Sequence, residues 1–503
     1  MKMFFLFLLA SVLGSSQCFD FIRNAFNYVN EMADPCYDFY RHACPKFSAR
    51  SEMLITRLYN PILQKHLTKQ SDNIWENIAI EETLRNIHLN ELPAPDDYFL
   101  EMFFTRCETG EDTRPLLLML QELLHEKGQT ECFTTGCLLP IADDNNCTRA
   151  VAFLGQRIHS LQYDSFKLVA GGLADYLNTL KVYLEGAGII LDANLRDGVS
   201  GVKDVVDEII FTVEEWIEAT PWVIKNDVVG PIKAEIEQLN LFDNYAQVLR
   251  DDLDALLTLE QNYLTCLRRI GNSEQSEVFC LFYAQQTQTK TPLIHEFYNY
   301  LNAGNFHPNL YFSYYFYDLM QNVEELAGVL GSTGIVAGHE VSHTLIENVN
   351  RLELIPFFSN ESMQCVMNQY ERTCDEFRET SCYTADHQID ENGSDILGVQ
   401  LAYNIFKKEY EGREQDEYIK LRSRVVTYQQ LFFYGFAFTF CLNSPMQHSP
   451  MDVHAAMNVR INAMANHPAF QEAFQCSDNS RMMSTVKEQC LIFGEGAPET
   501  RKF

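Results

Sequence analysis

Positive charge is scarce in this chain. Its 503 residues hold 38 Lys and Arg against 69 Asp and Glu, a formal net charge of −31. Such a protein is repelled by polyanions, which excludes nucleic acid and anionic membrane surfaces as its main partners. Long apolar runs are missing as well. Beyond the amino terminus, no stretch approaches the roughly 18 uninterrupted apolar residues that a membrane-crossing helix needs. No repeat of fixed period and no low-complexity segment is present, so nothing points to a solenoid or a disordered tract.

The amino terminus differs from the rest. Lys2 supplies a short charged start, Phe4 to Leu13 an apolar core, and Gly14 to Cys18 small or polar residues. Residues 1–18 therefore read as a secretory signal peptide, with a core too short to serve as a membrane anchor. Cysteine usage agrees with a secreted, extracellular protein. Removing Cys18 from the 15 cysteines leaves an even number, compatible with bridges formed in an oxidising compartment. Asn146-Cys147-Thr148 and Asn360-Glu361-Ser362 are glycosylation sequons. A third, Asn392-Gly393-Ser394, falls inside a segment with chemistry of its own and is expected to carry no sugar.

That chemistry begins at Gly338-His339-Glu340-Val341-Ser342-His343, within a run of helical character from Gly331 to Val349. Two His four residues apart project from one helix face, one turn above the other, and can close on a single metal ion. Glu340 lies beside such an ion, where a general base would take a proton from water. Downstream, Glu391 and Asp395 share one face of a second helical segment, 391–409. With Glu391 as third ligand, two His and one Glu leave the fourth position of a tetrahedral zinc open, which is the catalytic arrangement. Asp395 would accept the second ring N–H of a ligating His. Without the His pair, Glu391 and Asp395 would read as a solvated helix start favoured by the dipole.

Together these residues resemble the neprilysin and endothelin-converting-enzyme family of zinc metallopeptidases. Asp452-Val453-His454 followed by Arg460 is similar to that family's Asp-x-His-then-Arg. Asp34-Pro35-Cys36-Tyr37-Asp38-Phe39-Tyr40 with Ala43-Cys44 resembles its mature amino-terminal signature, and Asn302-Ala303 its substrate-backbone segment. The resemblance implies one zinc per chain on His339, His343 and Glu391, with Glu340, His454 and Asp395 in catalysis. It further implies substrate contacts from Asn302, Ala303, Asp452 and Arg460, and an apolar pocket that includes Phe438 and Phe440, to which Val336, one turn before His339, can add. Disulfides Cys36–Cys476, Cys44–Cys441 and Cys365–Cys490 follow the family pattern. Cys374–Cys382 and Cys266–Cys280 are neighbours able to pair, and Cys107, Cys132, Cys137 and Cys147 remain for two more bridges. The chain departs from the pattern at Gly304, where the family has an aromatic, at Leu345-Ile346-Glu347, and at Cys490-Leu491-Ile492-Phe493.

The expected fold is mainly α with a small β-sheet near the active site: a thermolysin-like (gluzincin) catalytic lobe plus a reduced helical lobe. Residues 19–285 form the amino-terminal helical region, of which 19–44 is disulfide-tied to the catalytic domain, 286–503. Helices are expected over 98–126, 150–191, 201–219, 228–239 and 245–268, and a strand over 309–316. Most of the family's large helical lobe between the Cys107 region and Gly201 is missing, so size exclusion of substrates should be weaker. The implied function is a secreted endopeptidase cutting peptides or small proteins on the amino side of apolar residues. The alternative is a catalytically inactive, neprilysin-like secreted binding protein that retains zinc.

Overall fold

The computed structural model describes residues 21–44, 54, 95–126, 138–143, 146–159, 196–242, 245–286, 303–320, 326–348, 361–377, 388–421, 424–441 and 452–497. The expected signal peptide, Asn302, Asn360, Cys132, Cys137 and Cys382 lie outside them. The chain divides into two compact units that interleave along the sequence. The first is Met1–His66, Ile189–Asp243 and Tyr300–Phe503; the second is Leu67–Gly188 and Asn244–Asn299.

The second unit is helical where described. Pro95–Thr109 and Arg114–Glu126 replace the single helix expected over 98–126, because Gly110 turns the chain with φ +72°. Only glycine adopts that conformation without strain. Cys147–His159, Tyr245–Ile270 and Glu274–Gln286 complete the described α-helices of this unit. Disulfides Cys107–Cys147 and Cys266–Cys280 cross-link them. Arg269 grips Glu122 through two hydrogen bonds of 2.8 and 3.0 Å, and the Tyr283 hydroxyl donates to the same carboxylate.

The first unit carries the site. Its helices include α1 (Phe21–Ala25), α2 (Phe39–Ala43), α3 (Arg196–Ala219), α4 (Ile335–His343), α5 (Glu361–Glu376), α6 (Ile389–Glu409), α7 (Tyr428–Phe440) and α8 (Met457–Ala463). Helix α7 is the aromatic centre. A capping box starts it, Thr427 Oγ1 accepting the Gln430 N–H while the Gln430 side chain reaches back to the Thr427 N–H. Its rings then bury the amino-terminal segment: Tyr434 meets Phe26 and Phe39 at centroid distances of 5.0 and 5.5 Å. Disulfides Cys44–Cys441 and Cys36–Cys476 fasten that segment in place, and Cys365–Cys490 ties α5 to the carboxyl-terminal stretch. Cys374 is also disulfide-bonded. Near the carboxyl terminus, Phe493 packs on Trp222 at 5.6 Å, and the indole N–H donates to the Ile492 carbonyl.

A three-stranded sheet, in order β1-β3-β2, lies beside α4. Its strands are β1 (Asn240–Leu241), β2 (Ala303–Phe306) and β3 (Asn309–Phe312). β1 runs parallel to β3, and β2 pairs antiparallel with it, Ala303 opposite Phe312 and Phe306 opposite Asn309. The expected strand over 309–316 ends at Phe312, and Tyr314–Leu319 is helical. The aromatic run suits either state, and burial of Tyr315, Phe316 and Tyr317 within the helix-rich core selects helix.

Candidate metal centre and active site

The site is assembled where α4 crosses α6. Both helices carry glycine at the crossing, and the backbones nearly touch. A Cβ on Gly338 would lie 2.9 Å from Gly398 Cα, and one on Gly398 2.8 Å from the His339 nitrogen. No side chain fits between them, so the His pair of α4 is held directly over the acidic first turn of α6. The helical run around α4 is not α throughout: π-helical turns, Leu330–Gly334 and Thr344–Asn348, flank it. Such turns leave carbonyls off the regular ladder. Asn305 of β2 answers this by donating to the Glu340 carbonyl at 2.5 Å and to Thr344 Oγ1 at 2.7 Å, joining the edge strand to α4.

His339 Nε2 lies 3.0 Å from His343 Nε2 and 3.0 Å from Glu391 Oε2, and His343 Nε2 lies 3.6 Å from the same oxygen. Two ligands bonded to one tetrahedral zinc at ~2.0–2.1 Å stand about 3.3 Å apart. The triangle thus has the size that a zinc ion requires. Glu391 Oε2 is buried without a well-aligned hydrogen-bond partner among the described residues. A buried carboxylate oxygen facing imidazole nitrogens is what a cation would satisfy. Among the described residues, His339, His343 and Glu391 form the one such cluster.

Around this triangle the surroundings are charged and buried. His339 Nδ1 sits 2.9 Å from Asp395 Oδ1. Asp395 is in turn gripped by Arg460 through Nε and Nη2, at 2.8 and 2.7 Å, and accepts the Tyr370 hydroxyl at 3.0 Å. The guanidinium lies 4.5 Å above the Phe440 ring. Burial alone would raise the Asp395 pKa, but the Arg460 charge and hydrogen bonds reverse this and hold it well below the usual carboxylate range. Glu391 behaves likewise, burial being outweighed by the imidazoles of His339 and His454. Burial opposes a charge on His339, yet Asp395 and Glu391 push its pKa up to about 10. Glu340 is buried, and desolvation raises its pKa, partly offset by His339 and His343. A raised carboxyl pKa brings this group nearer to the range in which a general base works at neutral pH.

His454 reaches the same centre from the other side, with Nε2 3.1 Å from Glu391 Oε2. Asp452 Oδ1 accepts the His454 backbone N–H at 3.0 Å and lies 3.5 Å from Nδ1. Ser394 Oγ stands 3.5 Å from His343 Nδ1. Val336 is buried on α4 one turn before His339, and Ala303 is buried on β2.

Two sequence expectations look different in three dimensions. Arg460, expected to meet substrate, spends Nε and Nη2 on Asp395. Phe438 packs into the core against Phe26 and Tyr434, at 5.1 and 5.5 Å, while Phe440, two residues on, faces Arg460. On a helix, residues two apart point to different sides, so only one of the pair can face the site. Asn392 is buried on α6, which closes its sequon to a folded-state sugar, whereas Asn146 is exposed. Sequence reasoning missed Asn305, Tyr370 and Ser394. Ser394 carried a signal, next to Asp395; Tyr370 had none, its partner lying 25 residues away.

Residues 307–490 match the profile of Peptidase family M13. Endothelin-converting enzyme 1 of Cavia porcellus is 28% identical over 176 residues, covering 32% of this chain and 23% of that protein. Neprilysin-1 of Caenorhabditis elegans is 28% identical over 182 residues, with the same shares covered. The matched region thus spans under a quarter of these relatives' length. Among solved structures, the Haemonchus galactose containing glycoprotein complex is similar in fold, with a TM-score of 0.50 and 14% identity, over 95% of this chain and 100% of that one.

Proposed function

We propose, from the match of residues 307–490 to Peptidase family M13, that the chain is a secreted zinc metalloendopeptidase, cutting peptides on the amino side of apolar residues. The observation that carries this reading is the meeting of two imidazole nitrogens and one carboxylate oxygen at metal-ligand spacing, with the buried Glu340 alongside. His339, His343 and Glu391 would hold the ion, which, when bound, supplies a Lewis acid that polarises a carbonyl and acidifies water toward ~7. Glu340 takes a proton from the attacking water and passes it to the leaving amine. His454, at the rim of the site, donates to the oxygen that becomes negative as the carbonyl turns tetrahedral. Loss of one such donor typically costs about 10²–10³ in rate. Asp395 and Arg460 act behind the ligands: the ion pair fixes the orientation of His339 and keeps a negative charge on its Nδ1 side. Secretion is supported by the signal-like residues 1–18 and the disulfides, and no described helix is long and apolar enough to cross a membrane.

The test uses zinc-quantified protein and a mixed peptide library, with and without chelator, beside Glu340→Gln. Cleavage should need both metal and Glu340, and the variant should keep one zinc per chain while turnover falls to background. One zinc per chain with no cleavage by the unaltered protein would overturn the peptidase reading in favour of a secreted binding protein that retains the metal.

A further inference from the structure

The loop bearing His454 is short and largely exposed: Val453 is 46% exposed, and the His454 side chain 40%. An exposed loop does not by itself hold an imidazole to within 3.1 Å of one carboxylate oxygen. Beneath it lies Gln388, wholly buried, the residue immediately before α6. Its amide nitrogen donates to two carbonyls of the loop, Asp452 at 2.9 Å and His454 at 3.0 Å. An amide NH2 has two N–H donors in one plane, and here both are used, on residues that flank Val453. Glu391 stands three residues beyond Gln388, one turn into the same helix. One side chain therefore connects the backbone of His454 to the helix that carries the carboxylate facing its ring.

We propose that Gln388 is a positioning residue, a brace that holds the 452–454 loop against α6 and so sets the distance between His454 and Glu391. Asp452 orients the loop from within, through its bond to the His454 N–H, and Gln388 ties the loop's backbone carbonyls to the start of α6. The chemistry of the brace is specific. Glutamate has the same shape but presents oxygen to both carbonyls, and methionine has the same reach with no donor. The importance of the brace for turnover rests on the peptidase reading; its hold on the loop does not.

Two measurements separate these. Hydrogen exchange followed by mass spectrometry, on the full zinc-loaded chain, reports the loop directly. In Gln388→Met, amides of a peptide covering 452–456 should exchange at least about tenfold faster, with α6 and zinc content unchanged. Gln388→Glu should show the same effect or a larger one, and serves if the Met variant does not fold. Unchanged exchange in a folded variant would overturn the brace, whatever the protein's activity. Kinetics then test the link to His454. Gln388→Met should lower kcat about 10- to 100-fold with KM little altered, and should have no further effect in a His454→Ala background. An equal loss in both backgrounds would show that Gln388 does not act through His454. An inactive but metal-loaded parent protein with a loosened loop in Gln388→Met would remove the peptidase reading and leave the brace standing.

Discussion

At the scale of single residues, the site is a chain of contacts leading away from the ligands. His339 leans on Asp395, Asp395 on Arg460 and Tyr370, and Arg460 on the ring of Phe440. A buried ion pair gives little net stability when complete, but breaking it leaves an uncompensated charge that costs ~3–5 kcal/mol. Asp395→Asn preserves shape and removes the charge. It should lower zinc affinity about 10- to 100-fold, because the His339 ring loses the charged partner that orients it. Competition against a zinc-binding dye and denaturant unfolding of the same variant would check the two effects separately. His42 offers a residue-scale prediction about pH. It is wholly buried, with Nδ1 2.8 Å from the Ala33 carbonyl and Nε2 2.5 Å from the Tyr434 hydroxyl. Burial, with Arg424 nearby, pushes its pKa down to about 4 from 6.5. Below pH 6.5 the unfolded chain takes up a proton that the folded one refuses, so stability falls as pH drops from 6.5 to 4 and levels off below. The span corresponds to about 3 kcal/mol. His42→Gln should flatten that slope in a pH series of urea unfolding curves.

At the scale of elements, the decisive feature is the crossing of α4 and α6. Ligands on two helices far apart in sequence meet only if the helix axes approach closely, and Gly338 with Gly398 allows this. In Gly398→Ala the new methyl would sit 2.8 Å from the His339 nitrogen and the Ile335 carbonyl, both rigid backbone. The helices must separate, which costs about 1–3 kcal/mol in overpacking. Zinc affinity should fall far more than in a control Ala at the open Gly230, where an added Cβ meets nothing within 4 Å. Equal zinc affinity in the two variants, measured by the same competition assay, would contradict the role given to the crossing. Asn305 makes the companion contact from β2, tying the strand edge to α4.

At the scale of the whole molecule, the first unit is gathered from three stretches of chain. Residues 21–44 are fastened by two disulfides whose partners lie about 400 positions later, at Cys441 and Cys476. Helix α3, from the middle of the chain, packs on both α4 and α6. The unit that holds the candidate metal centre is therefore built from early, middle and late parts of the chain. The reduced helical lobe expected from the sequence bears on substrate size under the proposed function. A ladder of peptides from five to forty residues should then be cut without a sharp upper limit. A steep loss of kcat/KM beyond short peptides would contradict this.

What the sequence determined by itself was the local spacing of the candidate ligands and of Glu340 beside them. The spacing of His339 and His343 and of Glu391 and Asp395 is one helical turn, and a turn is local physics that survives any tertiary arrangement. The amino-terminal signature and the cysteine pattern carried the long disulfides in the same way, as matched words in a known order. Tertiary structure alone decided which side chains face one another across distant segments. That Arg460 turns to Asp395, that Phe440 and not Phe438 meets it, that Asn305 reaches the Glu340 carbonyl and Gln388 the His454 loop: none follows a period along the chain. These contacts are set by how distant segments pack, and a buried polar group must then find its partner wherever the packing has placed one.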